Sequence, residues 1–292
     1  MSYRQFLFAC ISVLVFVVIG FSVRGEQTDE IRSGKYLIIA GGCFSCHTDF
    51  KAKGQPFAGG APIKTPFGTF ISPNITPSKD HGIGNWSDAD FIRAMREGIN
   101  PDGDHYFPVF PYTSYTGITT PDLRAMKAYL FTLDPIEKSA DSHDIPLPFR
   151  WRFLQFVWKL LFFREGGRKP NPKWSIEVKR GAYLANTLGH CGECHTPRNK
   201  LGGLDYESWM SGSVIGPDDK NIPNITPDLE TGLNFSVPQI VEYLKTGATP
   251  DFDFAGSMMA DVIAHSTGKM TDEDLKAIAL YLKSLPPLKQ TF

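Results

Sequence analysis

An apolar run from Phe6 to Phe21, interrupted by Ser12, follows Arg4. A positive start and a hydrophobic middle are the pattern of an export signal. The run falls short of the ~20 residues of a full membrane span, and Val23 to Gly25 offers no small-x-small cleavage site. Residues 1–25 are therefore read as a signal peptide or a membrane anchor. Farther along, apolar residues recur at helical intervals and predict one helix through Tyr36, Leu37 and Ala40 and another through Tyr183, Leu184 and Leu188. Two more helices are expected to open at Thr119-Thr120-Pro121-Asp122 and Thr271-Asp272-Glu273-Asp274, where hydroxyls cap free amides and early acids complement the helix dipole. A third pair is expected to be capped by Ser87-Asp88 and by Ser236, with Pro238 acceptable in the first turn.

The stretch Trp151 to Phe163 predicts a helix of another kind, with aromatics spread around most of it and only Arg152, Gln155 and Lys159 to solvate it. At about three turns it is too short to cross a bilayer. It reads either as a linker helix packed on its neighbours or as a docking surface for a partner subunit or the membrane interface.

The pattern is written twice. Gly34-Lys35-Tyr36-Leu37 returns as Gly181-Ala182-Tyr183-Leu184, and Pro73-Asn74-Ile75-Thr76-Pro77 returns as Pro223-Asn224-Ile225-Thr226-Pro227. Cys43 and Cys191, Asn74 and Asn224, and Tyr129 and Tyr281 lie 148, 150 and 152 residues apart, so the register holds across a whole domain. The expected organisation is all-α. It has a first helical domain at 26–134, a linker with the aromatic helix at 135–175 and a second helical domain at 176–288. The Asn-Ile-Thr triplets match a glycosylation sequon, but their place in the duplicated loop favours side chains that bond the loop's own backbone.

A formal net charge of −1 marks the surface as neither a nucleic-acid nor an anionic-lipid binder. Of the five cysteines, Cys10 stands alone in the apolar run, where hardly any hydrophobic segment precedes it, as a lipoprotein acceptor would need. The other four form Cys43-Phe44-Ser45-Cys46-His47 and Cys191-Gly192-Glu193-Cys194-His195. Cys-x-x-Cys-His is the attachment signal for c-type haem. Two thiols on one helical turn can add to the two vinyl groups of a porphyrin, and the imidazole beside them then ligates iron. One such pair alone would leave a redox dithiol or half of a zinc site open. Two pairs, each with His at the same offset in a duplicated domain of an exported chain, point to two haems c. Cys43, Cys46, Cys191 and Cys194 are the attachment points, and His47 and His195 the proximal ligands.

A haem that only shuttles electrons needs a ligand on its other face, and Met raises the potential. Gly256-Ser257-Met258-Met259 precedes the second closing helix, with Met259 the choice and Met258 the alternative. The first copy offers no Met in the matching loop, His105-Tyr106-Phe107-Pro108-Val109-Phe110. Met95 and Met126 sit on helices and read as core, leaving His105 as the nearest candidate, with His81 and His143 weaker.

Together these residues resemble the cytochrome c subunits of periplasmic membrane-bound dehydrogenases that oxidise alcohols, gluconate and related sugars or aldehydes. The resemblance rests on Thr65-Pro66-Phe67-Gly68, Ser72-Pro73-Asn74-Ile75-Thr76-Pro77, Pro108-Val109-Phe110-Pro111-Tyr112, Cys194-His195-Thr196-Pro197-Arg198-Asn199 and Met259-Ala260-Asp261-Val262. It implies two tandem class I cytochrome c-like domains with Met259 as an axial ligand. It also implies periplasmic electron transfer, without substrate chemistry, from a dehydrogenase catalytic subunit to a quinone or terminal oxidase at the inner membrane. Three-haem relatives typically carry Met near Phe110, so the first distal ligand does not carry over. The rival is a dihaem enzyme, peroxidase-like or thiol-oxidising, with an open face on the first haem.

Overall fold

The structure is a computed structural model that describes residues 27–214 and 221–290. Cys10 and the export segment lie outside the described residues. Helix α1 covers 27–40 and leads into the short α2, Cys43–Cys46. The first copy continues with α3 (Asp88–Glu97), α4 (Tyr112–Tyr115) and α5 (Thr120–Leu130), and α6 (Phe153–Phe162) follows as the linker helix. The second copy contains α7 (Ile176–Tyr183, extended by a π turn over Leu184–Leu188), α8 (Gly192–His195), α9 (Val237–Thr246), α10 (Ser257–His265) and α11 (Asp272–Lys283). The helix starts fall where the caps place them. Thr119 and Thr271 accept from the amides of Asp122 and Asp274, and Ser87 and Ser236 form capping boxes with Asp90 and Gln239.

Among the described residues one two-stranded hairpin, β1 (Pro62–Thr65) with β2 (Gly68–Ile71), departs from the all-helical expectation. Thr65 and Gly68 close it, and the positive φ of Gly68 (124°) suits a residue without Cβ. Phe70 turns inward to pack with Phe107 and Ile145 in a small satellite core.

In each copy the first and last helices cross at a glycine. A Cβ on Gly34 would stand 1.8 Å from the Ala125 carbonyl oxygen, and one on Gly181 would stand 1.9 Å from that of Ala277. Only a bare Cα lets these backbones approach so closely. The tyrosines two residues on reach across to the other copy. Tyr36 donates to Asp274 of the second copy at 2.6 Å, and Tyr183 donates to Asp122 of the first. The two copies therefore clasp one another reciprocally, each through the start of the other's closing helix. Between them the buried apolar residues, from Leu37 and Met126 to Leu188 and Leu282, form one continuous cluster.

Helix α6 lies over both copies. Lys159 donates to the carbonyls of Glu97 and Gly98 and stands over the Tyr112 ring, while Trp158 donates to the Leu201 carbonyl and Phe162 packs on Gly203. Among the described residues no helix is long and apolar enough to cross a membrane.

Candidate haem-binding sites

Both Cys-x-x-Cys segments form a single helical turn, which places the two sulfurs on one side and the histidine at its end. Gly42, in a left-handed conformation (φ 64°), lets the chain turn from α1 into the first of these. His47 Nδ1 lies 2.8 Å from the Pro73 carbonyl oxygen, and His195 Nδ1 lies 2.8 Å from that of Pro223. A carbonyl oxygen can only accept, so each Nδ1 carries the proton and each Nε2 keeps its lone pair. Burial also pushes both imidazoles below their ordinary pKa, against the opposing pull of the proline carbonyls, and so favours the neutral form. A neutral ring whose other nitrogen is tied to a carbonyl is the state in which histidine binds a metal.

The duplicated Asn-Ile-Thr triplets hold those carbonyls in place. Asn74 Oδ1 accepts from the Thr76 amide at 2.9 Å and its hydroxyl at 2.7 Å, while Nδ2 donates to the carbonyls of Ile136 and Lys138. Asn224 repeats this with Thr226, at 2.8 Å for both bonds, and donates to the Leu288 carbonyl. Each asparagine thus ties the loop carrying the proline to the chain that follows the closing helix. The loop bonds itself, as its place in the repeat suggests. The proline carbonyls were not singled out from sequence, although a proline precedes the asparagine in both copies.

All four thiols are free, Cys43 and Cys191 partly buried and Cys46 and Cys194 at the surface, and desolvation raises each of them, Cys43 and Cys191 to about 12. Among the described residues no group of three His, Cys, Asp or Glu side chains is placed to hold a metal ion. Paired neutral thiols, each beside a histidine with one nitrogen committed, fit covalent haem.

The two attachment turns share an interface. Tyr115 donates to the Gly41 carbonyl at 3.1 Å, just before Cys43, and its ring meets that of His190, just before Cys191, edge to face at 5.6 Å. Glu193, inside the second turn, accepts from Thr113 (2.5 Å) and Ser114 (2.7 Å) of the first copy and pairs with Arg198 at 2.5 Å. Burial would raise its carboxyl, but the Arg198 charge and these bonds outweigh that and hold it below its ordinary value, ionised at neutral pH.

Of the candidate distal ligands, Met259 is half-buried against the core cluster, whereas Met258 is 43 % exposed. In the first copy Met95 and Met126 are buried in α3 and α5. His105 faces the linker helix: Lys159 Nζ lies 2.9 Å from its Nδ1, and Phe156 packs on its ring. His143 Nδ1 accepts from the Ile71 amide, and its ring packs with Phe70 and Phe107.

The family model for cytochrome c matches residues 31–134 and again 178–286. A dihaem cytochrome c-type protein of Cereibacter sphaeroides is 44 % identical over 90 % of this chain and 88 % of its own length. The fructose dehydrogenase cytochrome subunit of Gluconobacter japonicus is 38 % identical over 98 % of this chain and 60 % of its own length. The cytochrome c subunit of the quinone alcohol dehydrogenase of Gluconobacter oxydans is 38 % identical over 92 % of this chain and 58 % of its own. The chain thus spans a little under two thirds of these two dehydrogenase subunits. The duplicated attachment turns and the double match of the family model agree: the chain belongs to the cytochrome c family, and its cofactor is covalently bound haem c with its iron.

Proposed function

We propose that this protein is an electron-transfer subunit with two haems c, one on Cys43, Cys46 and His47 and the other on Cys191, Cys194 and His195. Bound haem iron supplies a reversible one-electron carrier. The protein's part is to hold and orient. Pro73 and Pro223 fix the histidine tautomers, Asn74 and Asn224 fix the prolines, and Met259 supplies a soft ligand that raises the second iron's potential. The observation that carries the reading is the repeated 2.8 Å contact from histidine Nδ1 to a proline carbonyl, made twice in matching loops. The Tyr115 and His190 contact supports transfer between the sites, because it brings the two attachment turns to one packed interface.

The chain works as two helical domains, 26–134 and 176–288, joined by 135–175. It takes electrons from a dehydrogenase catalytic subunit and delivers them to a quinone or terminal oxidase on the periplasmic side of the inner membrane. The relatives that are dehydrogenase cytochrome subunits support the partner, and the apolar run Phe6 to Phe21 supports export. Intact mass of chain matured in a host able to attach haem tests this reading. Two haem additions are expected, and one or none overturns it.

A second reading keeps the first haem as a reactive centre. It is favoured by the loop from His105 to Phe110, which holds no sulfur and whose His105 Nδ1 is engaged by Lys159. Rapid cyanide or peroxide binding at one haem of the purified protein would support it, and inertness of both would remove it.

A further inference from the structure

The linker helix α6 is inside out. Phe153, Phe156, Val157, Leu160 and Leu161 follow the i, i+3, i+4, i+7, i+8 spacing of a stripe that in an ordinary helix faces the core. Here they are 63, 50, 45, 70 and 65 % exposed, and the buried residues are Gln155 and Lys159. The orientation is held by polar anchors: Lys159 on the carbonyls of Glu97 and Gly98, and Trp158 on that of Leu201. Burial lowers the lysine pKa to about 8, so the anchor works against its own desolvation. A fold that turns a lysine inward to keep five apolar side chains outward has a use for the stripe.

The surroundings say what covers it. Residues 150–173 contain seven Lys and Arg and one acid, Glu165, in a chain whose net charge is −1. Arg150 and Arg152 precede the stripe and Arg164, Arg168 and Lys169 follow it in the chain, all solvent-accessible, with Arg152, Arg164 and Arg168 lying over the rings of Phe107, Tyr206 and Trp209. Trp151, 49 % exposed, lies at the first end beside Phe153. None of the five stripe side chains carries a polar atom, whereas a protein interface has about one hydrogen bond per 100–200 Å² to set its register. Apolar side chains between cations, with an indole at the margin, match the acyl and phosphate layers of an anionic bilayer.

We propose that α6 is an interfacial membrane-docking element, seated through Phe153, Phe156, Val157, Leu160 and Leu161 in the headgroup layer of an anionic bilayer. The proposal rests on the placement of the chain at the inner membrane suggested above. It gives that placement a specific surface inside the chain, independent of the apolar run at residues 6–21.

Site-specific photocrosslinking tests it. The full-length, haem-loaded chain would carry p-benzoylphenylalanine in place of Leu160, and separately of Phe153. It would be reconstituted in vesicles of phosphatidylethanolamine and phosphatidylglycerol, illuminated and analysed by mass. Phospholipid adducts are expected at both positions and not at Leu229, which is 85 % exposed in the second copy. A crosslink to residues 1–26 or to a second copy, or no adduct, overturns the proposal, as does a protein adduct in place of lipid in native membranes. The haem spectrum of each variant reports folding, and Leu160 and Phe153 probe the same stripe independently. Two haem additions without a lipid adduct sink the docking surface alone, whereas missing haem sinks the function proposed above.

Discussion

The Tyr36 hydroxyl lies 2.6 Å from the Asp274 carboxylate, and the Thr271 amide donates to the same hydroxyl at 3.3 Å. Tyr183 stands in the same relation to Asp122 and Thr119. The symmetry is incomplete, since Asp274 also accepts two bonds from Arg180 (2.9 and 2.7 Å), where the first copy has Ser33 at the matching position.

Replacing Tyr36 with Phe removes one donor from a carboxylate that Arg180 still holds, and should cost about 1 kcal/mol. Asp274→Asn should cost more, because it breaks the Arg180 pair as well. Burial pushes the Asp274 carboxyl up, but the bonds from Arg180 and Tyr36 and the Arg180 charge hold it below its ordinary value. Its stabilising share is then present above the unfolded carboxylate pKa of about 3.9 and lost as pH falls through the lower folded value. Denaturant melts of wild type and Asp274→Asn between neutral and acid pH should converge below that range.

Gly34→Ala and Gly181→Ala test the helix crossings. Alanine improves intrinsic helix propensity by about 1 kcal/mol, yet its Cβ would fall inside a backbone carbonyl of the partner helix. The clash decides the sign, and each change should destabilise by about 3 kcal/mol or abolish folding. Yield of haem-loaded protein and the thermal midpoint read the effect, and unchanged melting would refute the crossing.

Met259→Ala should abolish the near-infrared methionine-to-iron band of the oxidised protein and lower the potential of one haem. Met258→Ala should leave both unchanged. A band that survives the first change, or disappears with the second, reverses the assignment.

Lys159 gives a test with an alkaline signature. Its folded pKa of about 8 lies below the ordinary 10.5, so between these values the unfolded chain binds more protons than the native one. Stability of wild type relative to Lys159→Met should therefore rise as pH increases from about 8 toward 10. A flat or falling difference would show that the ammonium is better solvated than its contacts with Glu97 and Gly98 imply.

What could be read beforehand follows from side-chain identity. Cysteine, histidine and the repeated Asn-Ile-Thr triplet carry their chemistry in the residue type, and Thr119, Thr271, Ser87 and Ser236 carry the helix starts in theirs. The Pro73 and Pro223 carbonyls escaped notice because every residue has a carbonyl, and only the fold decides which one meets an imidazole. Periodicity showed the aromatic helix, but not that Gln155 and Lys159 would be its inner face, because a stripe has the same spacing whichever way it points. Tyr36 and Tyr183 are legible as helix positions but not as a clasp, since a duplicated pattern does not say whether a side chain bonds within its copy or across. The hairpin at Pro62–Ile71 was missed for want of length, each strand being four residues.

The shared interior sets a limit on how this molecule can be taken apart. A polypeptide cut in the connecting segment and separated would leave each half with bare aliphatic surface and a widowed Tyr36 or Tyr183 at its edge. Such fragments should clump or be degraded before they acquire porphyrin, whereas the nicked but unseparated pair should survive.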